Sequence, residues 1–113
     1  IGPGRPKSAF QPGGLSGAAI RPVAVRMVWE VRKALPHVQI FGIGGIETAE
    51  HVVEFLIAGA NAVQVGTASF RDPGISGRLV RDLARWCERH GVERVSDLTG
   101  TLKTRPRPEK AYV

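Results

Sequence analysis

The sequence contains a single cysteine, Cys87, and only 6% of its 113 residues are aromatic. One cysteine excludes an internal disulfide, and with it the small disulfide-held scaffolds of secreted proteins. Long apolar runs are also missing, so the sequence predicts no membrane-spanning helix and no membrane partner. The first residues do not predict a targeting segment, and we expect a cytoplasmic protein. With 42% hydrophobic and 23% charged residues, the composition is typical of one globular domain.

Acidic residues are fewer than basic ones, ten against sixteen, and the formal net charge is +6. Such an excess can indicate a nucleic-acid partner, but here it lies at the two ends of the chain. Residues 1–12 carry two positive charges and residues 103–113 a net three, whereas residues 13–102 carry ten basic and nine acidic side chains. The sequence therefore predicts an irregular N-terminal segment (1–12), a nearly neutral folded part (13–102) and a flexible basic tail (103–113), with no nucleic-acid partner.

The apolar pattern predicts one amphipathic helix and two short strands. Between Pro22 and Pro36 apolar residues recur at three- and four-residue steps, the period of a helix with one apolar face: Val23, Met27, Val28, Val31 and Leu35. Two apolar runs that contain β-branched residues, 38–43 and 62–65, predict buried strands.

Cap and turn residues predict three further helices. Thr48 is a suitable N-cap for a second helix, and Gly59 is a suitable residue for its end. Asp72 and Pro73 form an N-cap and first-turn pair for a third helix, and a short last helix is expected over 92–102. The predicted order is loop, helix, strand, helix, strand, helix, helix.

Strands that alternate with helices indicate right-handed βαβ units and a parallel sheet. A (β/α)8 TIM barrel needs ~250 residues, of which this sequence supplies less than half. The predicted fold class is therefore α/β, the C-terminal portion of a TIM barrel comprising about its last two and a half βα units. Because the sequence covers less than half of a barrel, we expect a C-terminal fragment, or a part that closes only with another chain. The opening residue, Ile1 and not Met, is likewise expected of a processed chain or a piece of a longer one.

Three glycine clusters stand after strands or before helices, at 13–17, 42–45 and 66–67. The first N–H groups of a helix have no partner within the helix, and glycine lets a phosphate approach the backbone closely. The loops after the last two strands of TIM barrels frequently bind phosphate. A single cluster of this kind is more often only a tight turn. Three in succession favour a phosphate-bearing ligand.

Four segments in a fixed order resemble one family. They are Gly13-Gly14-Leu15-Ser16-Gly17-Ala18-Ala19-Ile20-Arg21-Pro22, Gly42-Ile43-Gly44-Gly45-Ile46, Ala58-Gly59-Ala60 and Val63-Gln64-Val65-Gly66-Thr67-Ala68-Ser69-Phe70. Over roughly residues 13–102 the sequence resembles the dihydroorotate dehydrogenases. The sequences of these motifs are most similar to those of class 1, type 1B dihydroorotate dehydrogenases. In that type the catalytic subunit works with an electron-transfer subunit that carries FAD and an iron–sulfur centre. Residues 1–12 match poorly, and Pro12 replaces a small polar residue of the family.

The resemblance implies an FMN-dependent (β/α)8 barrel that oxidises dihydroorotate to orotate in de novo pyrimidine biosynthesis and forms a homo-oligomer. By motif, Gly17 corresponds to the glycine that closes the loop after strand six and contacts FMN. Gly44 and Gly45 correspond to the pair after strand seven, and Gly66 and Thr67 to the pair after strand eight. The last four look like the FMN phosphate site and act mainly through backbone N–H groups.

The same resemblance implies that this sequence holds no catalytic residue. The family's general base, a lysine near the flavin and the asparagines that hold the substrate lie in upstream regions that the sequence does not contain. In type 1B the base is a cysteine, but Cys87 matches no catalytic position and is predicted to be a small, buried or half-buried helical residue. We therefore expect no turnover by this chain alone.

A metal site is not predicted. The three histidines, His37, His51 and His90, are separated by 14 and 39 residues, which matches no metal-binding pattern.

Two alternatives remain open. The flavin domain of dihydropyrimidine dehydrogenases shares the glycine-rich loop and the Ala-Ile-Arg-Pro run, although Val65-Gly66-Thr67-Ala68 favours dihydroorotate dehydrogenase. A non-catalytic half-barrel that binds a phosphate ligand, or serves in assembly, would carry the same glycine clusters. It would also need a partner to cover the edges of its sheet.

Overall fold

The computed structural model describes residues 16–102, in which two short parallel strands alternate with helices. The elements are α1 (Arg21–Ala34), β1 (Phe41–Ile43), α2 (Ala49–Ala58), β2 (Ala62–Gln64), α3 (Thr67–Arg71) and α4 (Ile75–Arg89), with 3-10 turns at Ala18–Ile20 and Val95–Leu98. None of these helices combines the length and the hydrophobicity that a membrane crossing requires. The predicted α/β class and the parallel pairing are confirmed.

The two strands pair in parallel, with Gly42 opposite Val63. The aromatic ring of Phe55 in α2 packs against Gly42 so closely that a Cβ there would clash with its Cδ1 atom. Phe55 is fully buried, as is Ile75 of α4, and these two side chains are the largest at the centre of the core. Glycine at position 42 therefore lets α2 approach β1.

The strands are shorter than the runs 38–43 and 62–65 suggest, and the expectation that they are buried is wrong for one face. Phe41 and Ile43 are 59% and 54% exposed, whereas Gly42 between them is buried. In the described part of the chain, helices pack against only one face of this two-stranded sheet. Every second side chain of β1 therefore faces away from the core.

Helix α1 has the expected bounds, but its apolar stripe does not face the core. Val28 is buried, and Ala24 and Val25 pack against the core cluster. The other predicted members of the stripe are exposed: Val23, Met27, Val31 and Leu35. The side of α1 that meets the sheet is set by Ala24, whose Cβ lies only 2.8 Å from where a Cβ of Gly44 would be.

Helix α2 begins and ends as the cap residues predict. The Thr48 hydroxyl accepts a hydrogen bond from the N–H of His51 (3.3 Å), and Gly59 ends the helix with φ of +134°. A positive φ at the end of a helix favours glycine.

The C-terminal helices differ from the prediction. Helix α4 begins at Ile75 and not at Asp72, because the Asp72 carboxylate accepts from the N–H of Gly74 (3.1 Å) within the preceding turn. The short helix α3 was not predicted. The helix expected over 92–102 is only the 3-10 turn Val95–Leu98.

Candidate phosphate site

A cavity of about 190 Å³ lies beyond the carboxyl ends of β1 and β2, where three chain segments meet. The structure brings all five predicted cofactor-binding residues to this cavity. Its lining consists of Ser16, Gly17, Ile20, Ile43, Gly44, Gly45, Gly66 and Thr67.

The first segment is the turn that leads into α1. Gly17 has φ of +82°, and its carbonyl accepts from the N–H of Ile20 (3.1 Å), which starts the 3-10 turn that runs directly into α1. Within the described residues, no atom lies within 4 Å of the position that a Cβ of Gly17 would take. The cavity side of this turn is therefore bare backbone.

The second segment follows β1 and is pressed against the start of α1. Gly44 and Gly45 have φ of +140° and +68°, conformations that L side chains rarely adopt. A Cβ on Gly45 would lie 2.8 Å from the carbonyl oxygen of Gly17 and 2.9 Å from Cβ of Arg21. Glycine is therefore required here both by conformation and by the close approach of two backbones.

The third segment follows β2 and leads into α3. The carbonyl of Gly66 accepts two hydrogen bonds from Ser69, one from its N–H (3.0 Å) and one from its hydroxyl (2.6 Å). Thr67 is the first residue of α3. Open space lies where a Cβ of Gly66 would point, so this residue also presents backbone to its surroundings.

A group of polar side chains connects the loop after β1 to α1 and α2. Nδ1 of His51 lies within hydrogen-bonding distance of the N–H groups of Glu47 (3.1 Å) and Thr48 (3.3 Å) and of Nη1 of Arg21 (3.3 Å). The Arg21 guanidinium also donates to the Gly45 carbonyl (3.4 Å) and pairs with Glu54 (3.2 Å). Burial, and then the positive charge of Arg21, lower the pKa of His51 below its ordinary value of 6.5.

From the sequence, His51 was a candidate only for metal binding, and Arg21 was assigned to no site. The available signal was Thr48 three residues before His51, the spacing of a capping box in which histidine replaces the usual Glu or Gln.

The cavity suits a phosphate group. None of the eight residues that line it in the described part of the chain is charged, and their polar groups are backbone groups and the hydroxyls of Ser16 and Thr67. Pockets that hold a whole drug-sized ligand measure ~300–1,000 Å³, so this cavity matches the phosphate end of a larger cofactor. The start of α1 adds the positive end of a helix dipole.

Cys87 is buried on α4, as expected, and does not line this cavity. Among residues 16–102, no three His, Cys, Asp or Glu side chains are grouped so as to hold a metal ion.

The fold and the site together define an α/β protein built of parallel βα units, with a glycine-lined pocket at the carboxyl ends of its strands. The family model of dihydroorotate dehydrogenase matches residues 3–86, and the chain belongs to this family.

Individual relatives agree with this assignment. The chain is 54% identical to the dihydroorotate dehydrogenase B (NAD(+)) catalytic subunit of Pelobacter propionicus, over 88% of this chain and 32% of the relative. It is 48% identical to a putative dihydroorotate dehydrogenase A (fumarate) of Solibacter usitatus over the same shares. Among solved structures, DHODH from Eimeria tenella in complex with ferulenol superposes with a TM-score of 0.76 at 31% identity, over 86% of this chain and 26% of that one. The chain thus spans about a third of the length of the curated relatives it matches.

Proposed function

We propose that this chain is the FMN-phosphate-binding, C-terminal part of a dihydroorotate dehydrogenase barrel that oxidises dihydroorotate to orotate in pyrimidine biosynthesis. The observation that carries the proposal is the cavity beyond β1 and β2. Five residues from three separate motifs, Gly17, Gly44, Gly45, Gly66 and Thr67, line this one small space. Their arrangement supports a phosphate site, and the family supplies the identity of the cofactor.

In this proposal the chain holds and orients the cofactor. Backbone groups of the Gly44–Gly45 turn and the hydroxyl of Thr67 bind the phosphate, and Ile43 beside them excludes water from one side. FMN supplies the hydride-accepting chemistry of the reaction when it is bound. The general base belongs to other parts of the barrel, and we expect the chain alone to bind the cofactor without turnover.

The names of the relatives favour type 1B. The more similar of the two relatives compared above is a B (NAD(+)) catalytic subunit. We infer a cytoplasmic, homo-oligomeric enzyme that passes electrons to a partner subunit carrying FAD and an iron–sulfur centre. Neither the flavin domain of a dihydropyrimidine dehydrogenase nor a non-catalytic half-barrel is favoured by any of these relatives.

The proposal is tested at Gly66, where a side chain has room. Open space lies at the Cβ position of Gly66, and its backbone angles (φ −111°, ψ −89°) impose the same conformational cost on Gly66→Asp and Gly66→Asn, so the two variants differ only in charge. FMN carries close to two negative charges on its phosphate at pH 7.5, and a carboxylate a few ångströms away repels it. We expect Gly66→Asp to weaken FMN binding at least roughly tenfold, and Gly66→Asn, which has the same shape without the charge, to weaken it far less.

Binding is measured by quenching of flavin fluorescence with the 113-residue chain, and riboflavin, which lacks the phosphate, serves as the second ligand. We expect riboflavin to bind weakly and equally to all three proteins. Equal FMN affinities for the Asp and Asn variants would contradict a phosphate site at this cavity.

A further inference from the structure

Nδ1 of the His51 imidazole accepts hydrogen bonds both from the loop backbone and from the side chain of Arg21. The backbone N–H groups of Glu47 and Thr48 lie 3.1 and 3.3 Å from Nδ1, and Nη1 of Arg21 lies 3.3 Å from the same atom. All three neighbours can only donate. Nδ1 must therefore carry a lone pair, which makes the ring neutral with its proton on Nε2.

These contacts act on the loop that lines the cavity. The loop runs from Gly44 to Thr48, between β1 and α2. At its start, the Gly45 carbonyl accepts from Arg21 (3.4 Å). At its end, Glu47 and Thr48 donate to His51. Because Arg21 also donates to His51, one pair of side chains holds both ends of the loop against α1.

We propose that His51, acting with Arg21, is a positioning residue that keeps the loop 44–48 in its cofactor-binding conformation, and that protonation of the ring releases this loop. The proposal has two consequences. The first is that the order of this loop depends on the protonation state of His51, and it does not rest on the proposed function. The second is weaker cofactor binding in acid, and it does rest on the proposed function.

The surroundings of His51 fix the direction of the pH dependence. Burial and the charge of Arg21 lower its pKa more than the nearby carboxylates raise it. The ring is therefore neutral at and above its ordinary pKa of 6.5, and its contacts are lost as the pH falls through the lowered pKa. The charged groups that face it are Arg21 from α1, Glu47 from the loop, Glu50 and Glu54 from α2, and, through its ion pair with Glu47, Arg71 from α3.

Two substitutions distinguish the role of Nδ1 of His51 as a hydrogen-bond acceptor from the effect of its protonation. His51→Asn places an amide oxygen near the position of Nδ1, where it can accept the same hydrogen bonds but cannot take up a proton. His51→Leu removes the acceptor. His37→Asn, the same change at an exposed histidine in the turn after α1, is the matched control.

The first readout is hydrogen exchange of the backbone amides of residues 44–48 in the 113-residue chain without cofactor, expressed as protection factors between pH 5 and 7.5. In the unmodified chain and in His37→Asn, we expect protection to fall roughly tenfold as the pH falls through the lowered pKa of His51, about the contribution of one hydrogen bond. In His51→Asn protection stays nearly constant, and in His51→Leu it is low throughout. If His51→Leu fails to fold, the Asn comparison still decides.

The second readout is the affinity for FMN over the same pH range. The phosphate has its own ionisation near pH 6, which affects every variant alike. We therefore expect the unmodified chain to lose roughly tenfold more affinity than His51→Asn on acidification. Equal protection profiles in the unmodified chain and His51→Asn would overturn the inference. Absence of FMN binding together with His51-dependent protection would instead overturn the proposed function and leave the inference standing.

Discussion

At the scale of single residues, two glycines share a positive φ but not an environment. Gly45 and Gly91 have φ of +68° and +66°. A Cβ on Gly45 would meet the carbonyl oxygen of Gly17 at 2.8 Å, whereas no described atom lies within 4 Å of the corresponding point at Gly91. A left-handed conformation costs an L residue about 1–2 kcal/mol wherever it occurs. Comparing substitutions at Gly91 and Gly45 therefore distinguishes the conformational cost from the cost of the close contact beside the cavity.

We predict that Gly91→Ala lowers the free energy of unfolding by about 1 kcal/mol, the conformational cost alone. Gly45→Ala should lower it by about 3 kcal/mol, because overpacking against the backbone of Gly17 adds to the same cost. Urea unfolding of the two variants measures this difference. Only Gly45→Ala should also weaken FMN binding, since the turn can relieve the contact only by moving the cavity wall. Equal losses of stability would contradict the close approach at Gly45.

How much of the site was predictable depends on sequence distance. Gly44 and Gly45 could be assigned from sequence, because glycines directly after a strand are a local pattern. Arg21 and His51 could not be paired, because they are 30 residues apart and are brought together only when α1 and α2 pack side by side. The periodicity of α1 concerns its apolar residues, and nothing in that pattern indicates that Arg21 reaches a neighbouring loop.

At the scale of elements, Arg32 joins the last turn of α1 to the turn between α2 and β2. Its guanidinium donates to the carbonyl of Gly59 through Nε (3.0 Å) and Nη2 (2.8 Å), and to the carbonyl of Pro36 (2.7 Å). It also donates to the side-chain oxygen of Asn61 (2.8 Å), which accepts from the N–H of Ile40 just before β1. Three elements are thus connected at the end of the molecule opposite the cavity.

We predict that Arg32→Ala lowers the free energy of unfolding by about 2 kcal/mol, because carbonyls that accepted from a charged donor lose it. Arg26→Ala is the matched control on the same helix. Its partners are neighbours on the same helix: an exposed ion pair with Glu30, of a kind that contributes about 0.3–0.5 kcal/mol, and a contact over the Trp29 ring (5.1 Å to the centroid), of a kind that contributes about 0.5–1 kcal/mol. Thermal and urea unfolding measure both variants. A loss for Arg32→Ala no larger than that for Arg26→Ala would show that this guanidinium does not join the elements.

The bounds of α1 and α2 were predictable because Pro22, Thr48 and Gly59 act through contacts within a few residues. The start of α4 was not, because Asp72 has two competing uses. Its carboxylate accepts from Gly74 and pairs with Arg78, and both contacts hold it in the turn before the helix. The direction in which the apolar stripe of α1 faces was not predictable for a different reason. The side of α1 that packs against the sheet is the side that carries the small residue Ala24, which lies against Gly44, and not the side with most of the larger apolar residues.

At the scale of the whole molecule, the described part of the chain has a layer of helices on one side of its sheet and an apolar surface on the other. This open sheet face carries Phe41 and Ile43 of β1, and the strand register places Ala62 and the exposed Gln64 of β2 opposite them. In parallel α/β folds both faces of the sheet are normally covered, and a two-stranded sheet also leaves backbone edges available for pairing. The surface is therefore suited to burial against further strands or another chain.

We predict that the 113-residue chain associates as its concentration rises, and that it does so through the open sheet face. Phe41→Thr combined with Ile43→Thr keeps β-forming residues in β1 while removing apolar area, and should shift association to roughly tenfold or more higher concentration. Met27→Gln, which removes an exposed apolar side chain from α1 without lowering helix propensity, is the control and should have little effect. Sedimentation velocity over a wide range of concentrations measures all three proteins. If Met27→Gln suppresses association and the double variant does not, the apolar stripe of α1, and not the sheet, is the surface through which the chain associates.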